Sequence, residues 1–185
     1  MKITAIETIH VGAYPNITFV ELHTDEGLIG LGETFRGPQA VAAHVHESIA
    51  PYLLGKHPAD IEAHSHQMLN GYLGFASTSA EIRAASAVDI ALWDLWGQST
   101  GQSITQLLGG AVREKIRVYN TCAGYTYNAR GGRRLIDASS SDAHSEGPYE
   151  DQLAFMKRPA ELAHSLLEMG ISAMKIWPLD VLAET

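Results

Sequence analysis

The stretch from Thr78 to Gly97 limits the possible folds more than any other part of this 185-residue chain. Thr78 and Glu81 stand three apart, the spacing of a capping box that opens a helix. Ile82, Ala85, Val88, Leu92, Leu95 and Trp96 then make one helical stripe. Ala84, Ala87, Ile90, Ala91 and Trp93 fill most of the remaining circumference. A helix apolar nearly all round is buried on more than one side. It is therefore expected to lie between two structural layers and to join two domains. Asp89 flanks the stripe and Asp94 stands roughly opposite, so both acids are expected to pair with an arginine or with backbone amides.

Three strands are expected ahead of that helix. Residues 2–11 and 17–23 are rich in β-branched residues, and residues 28–34 pair back through the turn Thr24-Asp-Glu-Gly27. The order predicts an antiparallel meander. Gly27, Gly30 and Gly32 do not form a phosphate cradle, because that motif must leave a strand and open a helix. Here the glycines serve the turn and close packing against the strand. Pro38 opens a helix with Val41, Val45 and Ile49 on one stripe, up to about Leu53. Pro58 starts another, with Ile61, Met68, Leu69 and Tyr72 as core candidates. His44 and His46, like His64 and His66, are two apart, about 200° round a helix, so neither pair can chelate one ion from one face.

After the long helix, Ser103 and Gln106 repeat the capping-box spacing before Gly109 and Gly110. Residues 115–121 alternate as a strand ending near Asn120, and residues 129–150 carry no apolar period. Residues 151–169 are helical, with Pro159 restarting or kinking the helix, Leu162, Leu166, Leu167 and Met169 as its apolar face, and Gly170 closing it. A strand follows at 171–177. Two strands joined by a helix of this length run parallel, with a right-handed crossover. Lys175 and Trp177, two apart, share one side of that strand. A lysine in a buried strand needs a partner or a task, and the C-terminal end of a parallel strand is where active sites gather. Cys122, just past a strand tip, reads as a packing residue.

The net charge of −8 argues against nucleic acid or an anionic membrane as partner. One cysteine excludes a disulfide framework and fits a reducing compartment. No apolar run approaches the roughly 18 residues that span a bilayer, and the N-terminus has no signal-peptide core. Composition thus points to a cytoplasmic globular protein.

Several phrases resemble a known group. The meander carrying Thr24-Asp-Glu-Gly-Leu-Ile-Gly-Leu-Gly-Glu33, the phrase Asp89-Ile-Ala-Leu-Trp-Asp94 and the phrase Leu107-Leu-Gly-Gly110 are similar to the mandelate racemase and muconate-lactonizing branch of the enolase superfamily. The closing Lys175-Ile-Trp-Pro-Leu-Asp180 resembles its acid-sugar dehydratases. The resemblance implies an α+β capping domain over residues 1–112 (a three-stranded antiparallel meander plus helices). Residues 113–185 would then hold the first βαβ of a modified TIM barrel.

It also implies abstraction of the proton α to a carboxylate, with Mg²⁺ stabilising the enediolate. The substrate would be a small carboxylate such as a sugar acid, and the enzyme a homo-oligomer. Dehydration is the reaction implied first, with racemisation or cycloisomerisation as alternatives. Lys175 would be the base or an electrophile; because Trp177 stands where the family often has a second lysine, a histidine on a later barrel strand is the alternative base. Tyr119, Asn120 and Trp177 would face substrate at the strand tips, and Tyr14 would reach it from the cap loop at 12–16. The family's metal ligands sit on later barrel strands, so no residue here is assigned to the ion. Two barrel strands alone leave unpaired edges. The chain is therefore expected to be completed elsewhere or, as an alternative, to be a non-catalytic cap fragment that associates with a partner.

Overall fold

The computed structural model describes residues 1–70, 79–123 and 151–177. Tyr72, Thr78 and the stretch at 129–150 lie outside them. The chain forms two compact units, Met1–Val112 and Arg113–Thr185.

The first unit holds the meander. Strands β1 (Ile3–Ile9), β2 (Ile17–Thr24) and β3 (Ile29–Phe35) pair antiparallel in sequence order. Gly27 takes φ +82° in the β2–β3 turn, where its N–H reaches Thr24 O at 3.1 Å. Burial alternates along β2, with Thr18, Val20, Leu22 and Thr24 facing inward. Helix α1 (Pro38–His44) runs through a π-helical turn (Val45–Ile49) into α2 (Ala50–Leu53). Pro51 supplies the reason. It has no N–H for the usual bond, and the wider turn just before it, with Ala50 N–H on Val45 O, carries the helix past its ring.

Helix α3 (Ile61–Asn70) packs on α4 (Ala80–Thr100). Helix α4 lies across the sheet and meets β3 most extensively. It buries Ala84, Ala85, Ala87, Val88, Ala91, Leu92 and Leu95, while Ile90 on the far side is 49% exposed. The helix belongs wholly to the first unit. Its N-cap is Ser79, at φ 56°, whose side chain makes no capping bond, while the box expected from Thr78 lies outside the described residues. The expected box does form on α5 (Ile104–Leu107), between Ser103 and Gln106.

Two features bring α4 so close to the sheet. Gly30 and Gly32 face it, and a Cβ on either would strike helix backbone, at Ala91 O and Ala87 O respectively. The polar side chains of α4 then satisfy the free edge of β3. Arg83 Nε donates to Phe35 O at 3.0 Å, Asp94 Oδ2 accepts from Leu31 N at 2.8 Å, and Gln98 Nε2 donates to Ile29 O at 2.7 Å. An open strand edge is a liability, and here it is closed in part by side chains.

His64 is buried at the second helical layer. Its Nε2 lies 2.8 Å from His57 O, so that nitrogen carries the proton, and its Nδ1 accepts from the Tyr52 hydroxyl at 2.9 Å. Tyr52→Phe would leave Nδ1 unpaired. The expected cost is about 1–3 kcal/mol, measured as a lower urea midpoint.

Asp89 is held above its ordinary value of 3.8, first by burial and then by the charge of Glu62. The native state therefore binds more protons than the unfolded chain, and stability falls as pH rises through that window. Asp89→Asn is expected to stabilise the fold slightly at pH 7 and to lose that advantage below about pH 4. Thermal unfolding at the two pH values checks this.

The second unit packs α6 (Asp151–Lys157) and α7 (Pro159–Glu168) around Cys122, Ala154, Phe155, Leu162 and Leu166. Pro159 restarts the helix, as its fixed φ favours at a first helical position. Gly170, at φ +78°, closes α7 by a Schellman pattern, with Gly170 N on Leu167 O and Ile171 N on Leu166 O. Leu162 and Leu166, one turn apart, are buried, whereas Leu167 and Met169 are exposed, contrary to the face expected from the pattern. The two expected strands are also shorter than predicted. They meet in a single parallel bridge, Asn120 with Met174, and Ile116 and Val118 are 79% and 59% exposed. A parallel strand is normally held by neighbours on both sides. Among the described residues each segment has only the other.

Candidate functional site

The bridge positions the side chains around Lys175. Asn120 N donates to Ala173 O at 3.0 Å, and Lys175 N donates to Asn120 O at 2.8 Å. These two bonds fix the end of each segment. Lys175 Nζ then stands 5.5 Å from the Trp177 ring centroid and 5.8 Å from that of Tyr119. Both rings offer their negative faces to a cation. Trp177 is itself steadied by Phe155, edge to face at 5.6 Å. No carboxylate among the described residues forms an ion pair with Lys175.

Asn120 is placed differently. Its Nδ2 donates to Asp151 Oδ2 at 2.8 Å, and its Oδ1 accepts from Cys122 N at 2.8 Å. The carboxamide thus ties the first segment to the start of α6 and holds Cys122 at φ 54°. The Cys122 thiol is buried, and burial, followed by the charge of Asp151, raises its pKa. It stays protonated at neutral pH and acts as a packing group. Tyr14 belongs to the first unit and is 53% exposed in the β1–β2 connection, where Ile17 N donates to its carbonyl at 3.0 Å.

The structure therefore gathers Lys175, Tyr119 and Trp177, ties the Asn120 carboxamide to Asp151 and Cys122, and has Tyr14 in the first unit. Asp151 and Phe155 carry no mark in the sequence, because each acts on a residue more than twenty positions away and no local pattern reaches that far.

A hard cation such as Mg²⁺ takes several oxygen ligands. The described groups gathered at the bridge offer one carboxylate, Asp151, already engaged by Asn120. They do not make a Mg²⁺ site. No helix among the described residues is long and apolar enough to cross a membrane.

Known proteins carry the same architecture. The profile of the mandelate racemase / muconate lactonizing enzyme N-terminal domain matches residues 3–109. The chain belongs to that family, within the enolase superfamily, and its sheet and helices are the family's α+β capping domain. More particularly, it is 43% identical over 127 residues to the D-galactonate dehydratase of Verminephrobacter eiseniae, covering 67% of this chain and 32% of that one. An enolase of the mandelate racemase subgroup from Agrobacterium tumefaciens superposes with a TM-score of 0.74 at 45% identity, over 100% of this chain and 41% of the other. An enolase from Pantoea ananatis, with bound D-gluconate and Mg, gives 0.58 at 34% identity, over 65% of this chain and 30% of its own. The chain spans about a third of the length of the curated relatives it matches, 30% and 32% of two of them.

Proposed function

We propose that this chain serves a sugar-acid dehydratase that removes the proton α to the substrate carboxylate. Met1–Val112 would be its cap and Arg113–Thr185 the opening of its barrel. The observation that carries the reading is the exposed amine of Lys175, held at the end of a parallel bridge between two aromatic rings. The dehydratase relatives and the gluconate-bound neighbour support the substrate class.

As the neutral amine, Lys175 can take the α proton. The C–H electron pair moves into the carboxylate as an enediolate and then returns to form the Cα–Cβ double bond as the β C–O bond breaks, and the departing hydroxide takes the proton from the Lys175 ammonium and leaves as water. As the ammonium, it can instead donate to the substrate carboxylate. Tyr119 and Trp177 wall the amine on two sides and offer a face to the apolar side of the sugar chain. Mg²⁺ enters the proposal through the Mg-bound relative, with ligands outside the described residues.

The test is exchange of the α proton in D₂O. The protein is incubated with D-gluconate, D-galactonate and related acids, with Mg²⁺ and again with EDTA. Mg²⁺-dependent exchange accompanied by loss of water is expected. Exchange without water loss would move the assignment to racemisation or cycloisomerisation. No exchange with any acid would leave only an associating cap.

A further inference from the structure

We propose that Glu7, Glu21 and His23 form a binding site for a divalent transition-metal ion of the zinc type on the outer face of the sheet. Glu7 and Glu21 are directly opposite partners in the β1–β2 ladder, and His23, two residues further along β2, points to the same side. His23 Nε2 lies 3.6 Å from Glu7 Oε1 and 3.4 Å from Glu21 Oε2, and the three donor atoms are all within 4.8 Å of one another. Zinc sits about 2.0–2.2 Å from nitrogen and carboxylate ligands, which places tetrahedral donors roughly 3.3–3.6 Å apart. The two distances to the imidazole already match.

The state of the imidazole points the same way. Nε2 is buried and has no hydrogen-bond partner, although it is aimed between two carboxylates. A charge-assisted hydrogen bond there would close to about 2.7–2.9 Å. A metal ion satisfies the nitrogen and neutralises both acids at the spacing observed. Access is open, because the Glu7 side chain is 60% exposed. Opposite His23 in the ladder stands Ala5, too small to block it. One nitrogen with two carboxylates suits a borderline ion such as Zn²⁺, whereas Mg²⁺ prefers six oxygens. The site lies in the first unit and does not rest on the function proposed for Lys175.

The experiment is calorimetric titration of the full chain with ZnCl₂, with MgCl₂ in parallel. The chain has nine histidines, so variants must separate this site from incidental binding. We expect one saturable equivalent of Zn²⁺, a rise in melting temperature on adding it, and no comparable effect of Mg²⁺. His23→Asn and Glu21→Gln should each weaken binding by more than the roughly 10–100-fold that loss of a supporting group costs. Glu33→Gln, an exposed acid on β3 outside the cluster, should leave it unchanged. Undiminished zinc binding in His23→Asn, or no saturable binding in the unaltered chain, would overturn the proposal. If the variants do not fold, the histidine ring resonances of the unaltered chain decide. Those of His23 should shift at the lowest Zn²⁺ concentration, and another histidine shifting before it counts against the site.

Discussion

Gly32→Ala is expected to destabilise the capping domain by about 3 kcal/mol or more, near the top of the range for overpacking a close contact. The added methyl would sit on the carbonyl oxygen of Ala87, with the Ala87 carbonyl carbon 2.8 Å and Ala91 N 3.1 Å away. All three are backbone atoms of α4, so no side chain can swing aside. Relief requires moving the helix off the sheet. That movement would stretch the bonds from Arg83, Asp94 and Gln98 to the β3 edge and loosen Ala87, Ala91 and Leu95 in the core. Gly27→Ala is the informative contrast. Gly27 has open space around it, and its cost comes only from the left-handed φ of +82°, roughly 1–2 kcal/mol. Urea unfolding followed by far-ultraviolet circular dichroism measures both. Equal midpoints for the two variants would show that the close approach of α4 is not what Gly32 provides.

Lys175→Ala is expected to lower α-proton exchange by about 10²–10⁴-fold, the usual contribution of a positioned acid or base. The side chain is exposed, and its contacts are with ring faces, so the fold should survive. Lys175→Arg then separates the two roles. Arginine keeps the charge but cannot give up its proton near neutral pH. If Lys175 is the base, the arginine variant falls as far as the alanine variant. Retention of most of the exchange in the arginine variant would assign Lys175 to electrostatic support and move the base elsewhere. Trp177→Leu should cost less than either, since it removes one wall and its contact with Phe155 but leaves the amine.

Much of this was legible in the sequence because it follows from local rules. Alternation and a glycine turn were enough to indicate β1 to β3. Pro38 placed the start of α1, Pro159 marked either a restart or a kink that the structure shows to be the start of α7, and glycine marked the end of α7. The Ser103–Gln106 box acts within one turn of α5, so nothing distant could override it. The 3.6-residue period revealed α4, yet not which of its faces would be covered. Ile90 fits the apolar pattern and is exposed, because coverage depends on the neighbours a helix finds.

The site divides along the same line. The spacing of Lys175 and Trp177 put them on one side of a segment, since strand periodicity is local. That Asn120 is held by Asp151 and Cys122, that Phe155 steadies Trp177, and that Glu7, Glu21 and His23 converge are matters of register and packing between distant positions. The sequence by itself determined the three strands and most of the helices, their order and the family, because hydrophobic period, turn chemistry and capping act over a few residues, whereas the segments at 115–121 and 171–177 meet, among the described residues, only in one bridge. Only the tertiary structure decided which polar groups meet, because hydrogen bonds and close contacts are settled by ångström distances between elements that no spacing along the chain encodes.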